Sequence, residues 1–133
     1  MRSQPRHAVS CNCTICRSLG SVWGHSLEAD ITIFAAPDAT IAYSRGDRLL
    51  ACHTSRTCGS TTHYFTIAGD HMGRMAVNLQ LAAPGTIDAI GLRHFAGADT
   101  WSFRGSIRFV PLAGFAMHLA VASGYLFCWL PFF

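Results

Sequence analysis

Met75-Ala76-Val77-Asn78-Leu79-Gln80-Leu81 is the stretch whose reading decides the fold class. Met75, Val77, Leu79 and Leu81 alternate with Ala76, Asn78 and Gln80, the period of two with which an extended chain sends successive side chains to opposite faces. The pattern predicts a half-buried strand, its apolar side in a core and Asn78 on the side facing solvent or a cleft. Weaker runs rich in β-branched and aromatic residues occupy 21–25, 31–35, 40–44, 49–54 and 61–67. Turn signals separate them: Ala36-Pro37-Asp38, Arg45-Gly46-Asp47, Gly69-Asp70 and Ala83-Pro84-Gly85. Helical periodicity of useful length is not found before residue 109. The expectation is a mainly β domain.

With 133 residues the chain fits one domain. Half of the residues are apolar and 13% are charged, against an ordinary charged share of about 25%, which excludes extended disorder and permits a sizeable core. All charged residues lie between Arg2 and Arg108. The chain therefore divides into a domain over 1–105 and a hydrophobic tail over 106–133. The net charge of +3 comes from arginines without any lysine, and no run of adjacent basic residues occurs, so no nucleic-acid partner is expected. No apolar stretch precedes Cys11, so a secretory signal is not expected and the compartment reads as cytoplasmic and reducing. There, six cysteines point to metal or redox chemistry rather than to a disulfide framework.

Cys11-Asn12-Cys13-Thr14-Ile15-Cys16 places three thiols within one short loop. A Cys-x-Cys-x-x-Cys loop can fold around one Zn²⁺ with each sulfur about 2.3 Å from the ion, and three ligands leave one tetrahedral position open, the mark of a catalytic site. The competing readings are three small buried hydrophobes, or a Cys13 and Cys16 redox pair, which would need a βαβ context that the chain lacks. Farther on, Cys52-His53-Thr54-Ser55-Arg56-Thr57-Cys58-Gly59 resembles a zinc knuckle, C-x-x-C-G, with Ser55 in place of its first cysteine. A serine hydroxyl is a poor zinc ligand, so Cys58 alone remains of that pair. Cys52 or His53 could stand in for the missing cysteine, but on an extended segment they point to opposite faces, so at most one could help, and both read as strand residues.

The chain from Val9 to Trp101 resembles the glutathione-dependent formaldehyde-activating enzyme and centromere protein V family. The resemblance rests on Cys11-x-Cys13-x-x-Cys16-Arg17, on Arg56-Thr57-Cys58-Gly59 with Thr62-His63-Tyr64, on Arg74 to Leu79, and on Gly97-Ala98-Asp99-Thr100-Trp101. It implies a mainly β, Mss4-like zinc-binding fold with two zinc sites. The catalytic zinc would be held by Cys11, Cys13 and Cys16, and Cys58 would belong to a structural site. Of that second site the leading strand with its C-x-C is not found in the ten residues before Cys11, and Ser55 replaces one more ligand. The activity implied is that of a zinc-dependent carbon-sulfur lyase or synthase resembling S-(hydroxymethyl)glutathione synthase. It would take a small thiol such as glutathione at the zinc and add it to an aldehyde. The alternatives are a noncatalytic zinc-binding interaction module and a degenerate, inactive fragment.

His63, His71 and His94 are possible acid or base groups near such a site, while isolated histidines in strands and turns are usually structural. Trp23, Tyr43, Tyr64, Phe65 and Trp101 could pack a ligand, and read first as core. Residues 109–133 carry no charge and are long enough for a membrane span, though Pro111, Gly114, Gly124 and Pro131 interrupt them. Three readings of the tail stand side by side: an altered reading frame, a membrane anchor and added core packing. A membrane partner is expected only through this tail.

Overall fold

A computed structural model describes residues 1–105 other than Ser3 and His71. The expected β class holds. Eight strands form one sheet: β1 (Ala8–Cys11), β2 (Val22–Leu27), β3 (Thr40–Tyr43), β4 (Leu50–Ser55), β5 (Thr61–Thr66), β6 (Arg74–Asn78), β7 (Leu92–Phe95) and β8 (Phe103–Arg104). Their spatial order is β3-β4-β5-β6-β2-β1-β7-β8. Every pairing is antiparallel except that of β1 with β7. Two short helices, α1 (Thr14–Ser18) and α2 (Thr86–Ile90), accompany the sheet.

The deciding stretch is a strand, but it is shorter and more deeply placed than its alternation predicts. β6 ends at Asn78, and Leu79–Leu81 turns into a 3-10 segment. Met75, Ala76, Val77 and Asn78 are all buried, so β6 is covered on both faces rather than half-buried. The reason is its central position, with Met75 and Val77 in one apolar cluster and Ala76 in the other. Asn78, expected toward solvent, is buried and ties three segments together. Its Oδ1 accepts from the N–H groups of Val22 (3.1 Å) and Gln80 (3.2 Å), and its Nδ2 donates to the Thr61 carbonyl at 2.8 Å. Residues 31–35, read as a strand, form none. The strands β1, β7 and β8 carry no such signal because they are too short to show a period.

One face of the sheet packs Ala8, Val22, Ile31, Met75, Val77, Leu79 and Ile90 together. Among the described residues Leu79 is the largest fully buried side chain, and it fits because residue 24 is glycine: a Cβ there would stand 3.1 Å from the leucine side chain. His53 and His63 also lie on this face, stacked with ring centroids 4.6 Å apart. The register carries the other face across the sheet, pairing Tyr43 with Cys52, Cys52 with Tyr64, Tyr64 with Ala76 and Ala76 with His25. Two residues before His25 in the same strand, Trp23 pairs with Val9, and two residues after Val9 comes Cys11, which pairs with Phe95. Alternation therefore puts Cys11, Trp23, His25, Tyr64, Cys52 and Tyr43 on one surface.

Among the described residues no helix is long and apolar enough to cross a membrane. The hydrophobic tail over 106–133 lies outside the described residues.

Candidate metal centre

Cys11 ends β1, Cys13 precedes α1 and Cys16 sits inside it, so the strand-to-helix turn gathers three thiols on one side. Their sulfurs all lie within 4.8 Å of one another. Two thiolates on one tetrahedral zinc, each at about 2.3 Å, would be about 3.8 Å apart, so only a small contraction separates this arrangement from a zinc shell. The turn is held by backbone bonds from Arg17 N–H to the Cys13 carbonyl (3.0 Å) and from Ser21 N–H to the Cys16 carbonyl (3.2 Å). Two N–H groups already point at the sulfurs: Trp23 Nε1–H donates to Cys16 Sγ at 3.3 Å, and Cys13 N–H to Cys11 Sγ at 3.4 Å. Such donors fix the direction of a metal-bound thiolate and spread its charge.

The three thiols differ in acidity. Burial, reinforced by the neighbouring thiolates, pushes Cys16 up to about 12 against the pull of the Trp23 N–H. Burial also raises Cys11, with the Cys13 charge adding to it. At Cys13 burial acts in the same sense, but the backbone N–H groups of Cys16 and Ile15 and the adjoining thiols outweigh it and hold the group below its ordinary value. Crowded thiolates that disfavour one another are the donor set that a divalent cation relieves, with release of protons on binding. The residues present fit zinc.

A second segment closes over the thiols. Because β1 and β7 run parallel and end at the pair Cys11 and Phe95, the chain leaves both strands side by side. Residues 12–16 continue one and residues 97–101 the other. Asn12, between the first two cysteines, clasps them: its Oδ1 accepts from Ala98 N–H at 2.9 Å and its Nδ2 donates to Asp99 Oδ2 at 3.0 Å. The same Asp99 oxygen receives Arg104 Nη2 at 2.8 Å. Gly97 passes so close that a Cβ on it would lie 2.6 Å from Cys11 Sγ.

A crystal structure of a Rhodobacter sphaeroides protein is similar to this chain, with a TM-score of 0.51 at 23% identity over 58% of this chain and 69% of that one. At such identity the likeness shows the fold alone. No family model matches the chain, and no curated protein does.

The thiols open onto a cavity of about 690 Å³. Of the residues singled out in the sequence, Cys11, Cys13 and Cys16 are brought together. Cys58 does not join them. It stands in the turn between β4 and β5, where the buried Ser55 Oγ accepts from the N–H groups of Thr57 (3.2 Å) and Cys58 (3.4 Å). The hydroxyl thus organises the turn that a knuckle cysteine would organise with its sulfur. His63 lies on the opposite face of the sheet from the thiols, His94 is exposed on β7, and His71 is outside the described residues. Trp23 is core, as expected, but Tyr43 and Trp101 are not: they are 53% and 76% exposed and line the cavity.

His25 and Cys52 also line the cavity, though the sequence shows them only as residues of strand-like runs. Burial and the nearby Cys13 charge raise the Cys52 thiol. The signal for both is the cross-sheet register, which joins strands far apart in the chain.

Proposed function

We propose that this chain is a zinc-dependent enzyme of carbon-sulfur chemistry that takes a small thiol at the Cys11, Cys13 and Cys16 centre and adds it to an aldehyde. The observation that carries the reading is the set of three sulfurs within 4.8 Å at the wall of an open cavity, with no fourth His, Cys, Asp or Glu in the group among the described residues. The resemblance of the Cys11 to Arg17 motif to glutathione-dependent formaldehyde-activating enzymes, with their Mss4-like fold, supports it. Zinc held there would favour the thiolate form of a bound thiol. The chain's own residues do the rest: Trp23 aims Cys16, and Asn12 holds the covering loop.

In the addition, sulfur forms a bond to the carbonyl carbon, the C=O π pair moves to oxygen, and the proton given up by the thiol ends on that oxygen. We assign this proton to His25, the described histidine that lines the cavity; burial, with the His7 and Arg74 charges, lowers it to about 4, so its ring is neutral at neutral pH and able to accept.

The test is to load purified protein with zinc and follow adduct formation between formaldehyde and a panel of thiols, glutathione included, by NMR. One zinc per chain and a rate above the spontaneous one, lost in Cys13→Ser, is the expected result. Zinc binding with no acceleration for any thiol overturns the activity and leaves a zinc-binding interaction module. Absence of zinc binding overturns both and leaves the degenerate fragment.

A further inference from the structure

The walls of the cavity say more about the ligand than the thiols do. Six aromatic side chains line it: Trp23, Tyr43, Tyr64, Phe95, Trp101 and Phe103. Its charged lining residues are Arg45 and Asp47, of opposite sign in the same turn, so they offer no net charge to a ligand. The cations near Cys11, Arg17 and Arg104, line a separate hollow of about 360 Å³, and Arg104 is engaged by Asp99. Tyr43, Leu50, Trp101 and Phe103 are between 41% and 76% exposed, and all four face the one cavity. A contiguous apolar surface of this kind in a concave site marks a place that binds an apolar group.

Trp101 is the second, independent observation. Its φ is 53°, a left-handed conformation that a bulky side chain rarely adopts. A backbone bond from Trp101 N–H to the Ala96 carbonyl at 2.9 Å holds it there. The strain secures little packing for the indole, which keeps 76% of its surface exposed and meets Phe95 edge-on at 5.9 Å. It holds the ring out at the cavity on the same loop that the Asn12 clasp fixes over Cys11. Strained backbone of this kind clusters at positions that present a side chain to a ligand.

We propose that the thiol taken at this centre carries an aromatic or similarly flat apolar body, and that Trp101 is the residue that selects it. The inference rests on the reading of the three cysteines as a zinc centre with an open position. The sulfur would reach that centre while the body lies along Phe95 and Trp101. Small hydrophilic thiols would reach the same centre without gaining from the aromatic wall.

The experiment measures calorimetric affinities of zinc-loaded full-length protein for benzyl mercaptan, 2-mercaptoethanol and glutathione, with tryptophan fluorescence as a second readout. Benzyl mercaptan is expected to bind at least about tenfold more tightly than either of the others, the scale of one good aromatic contact. Trp101→Asn, which tolerates the left-handed backbone, should bring the affinity for benzyl mercaptan down to that for 2-mercaptoethanol, and Trp101→Phe should restore most of the difference. Far-ultraviolet circular dichroism and zinc content matching the parent show that each variant is folded. Equal affinity for the three thiols, or an advantage that survives in Trp101→Asn, overturns this inference and leaves the zinc-thiol reading standing. If zinc-loaded protein binds none of the three, the zinc-thiol reading itself fails, and this inference with it.

Discussion

Replacing Gly97 with alanine tests whether residues 97–101 and the thiol turn form one rigid unit. The new methyl would lie 2.6 Å from Cys11 Sγ and 3.4 Å from both Cys13 Cβ and Phe95 Cδ1. Non-bonded heavy atoms settle at about 3.5–4 Å, so relief needs a displacement of about 1 Å. Gly97 is not among the glycines with positive φ, which makes the penalty one of space rather than of backbone conformation. Pairing with Phe95 holds the Cys11 backbone, so relief comes from turning its sulfur away or from moving the loop. A loop shift of that size breaks the 2.9 Å bond from Ala98 N–H to Asn12 and stretches the 3.0 Å bond from Asn12 to Asp99.

Overpacking costs about 1–3 kcal/mol and each lost hydrogen bond about 1 kcal/mol, which together give a destabilisation of about 2–4 kcal/mol. For a domain of this size that lowers the unfolding midpoint by about 10 °C or more. Any part of the strain taken up by Cys11 moves its sulfur away from the point shared by the three ligands, so zinc affinity should fall by about tenfold or more. Competition against a chromophoric chelator measures the affinity, and a thermal melt measures the midpoint. A Gly97→Ala protein with the parent's zinc affinity and the parent's midpoint would refute the close packing of loop against sulfur.

Two further outcomes are expected. Cys13→Ser should abolish zinc binding at the three-thiol centre, whereas Cys58→Ser, in a turn that the Ser55 hydroxyl already holds, should keep it; equal metal loss in both would show that Cys58 supplies a fourth ligand. Burial, followed by the neighbouring His53, lowers His63 from 6.5 to about 4, so below pH 6.5 the unfolded chain binds the proton that the folded chain refuses. The stability that His63 contributes is therefore full above pH 6.5 and lost as the pH falls toward 4, a change of about 3 kcal/mol over that window. Denaturant titrations at several pH values should show a shallower profile for His63→Gln than for the parent, and parallel profiles would contradict the assignment.

Legibility differed between the thiols and their surroundings for a physical reason. Cys11, Cys13 and Cys16 sit within one turn of chain, so their spacing alone limits how far their sulfurs can separate. Aromatic residues are usually core, which is the expectation for Trp101 and Tyr43, yet both are exposed, and what decides this is the cavity that the folded sheet forms around them. Cys52 became a neighbour of the thiol cavity through pairings with strands remote from it in the chain.

What the sequence determined by itself was local: a β class from alternation and β-branched residues, turns at Gly and Pro pairs, and a three-thiol turn that suits zinc. Only the tertiary structure decided what each side of a strand faces. Alternation at Met75 to Asn78 states that neighbours point in opposite directions, and it cannot state that both directions are covered, because cover comes from Ile31, Leu79 and Ile90 on one face and from Trp23 and Tyr64 on the other. The clasp of Asn12 on Ala98 and Asp99 joins residues 86 and 87 positions apart. Such a contact exists only after β1 and β7 pair in parallel, and parallel pairing is a long-range choice that no window of adjacent residues records.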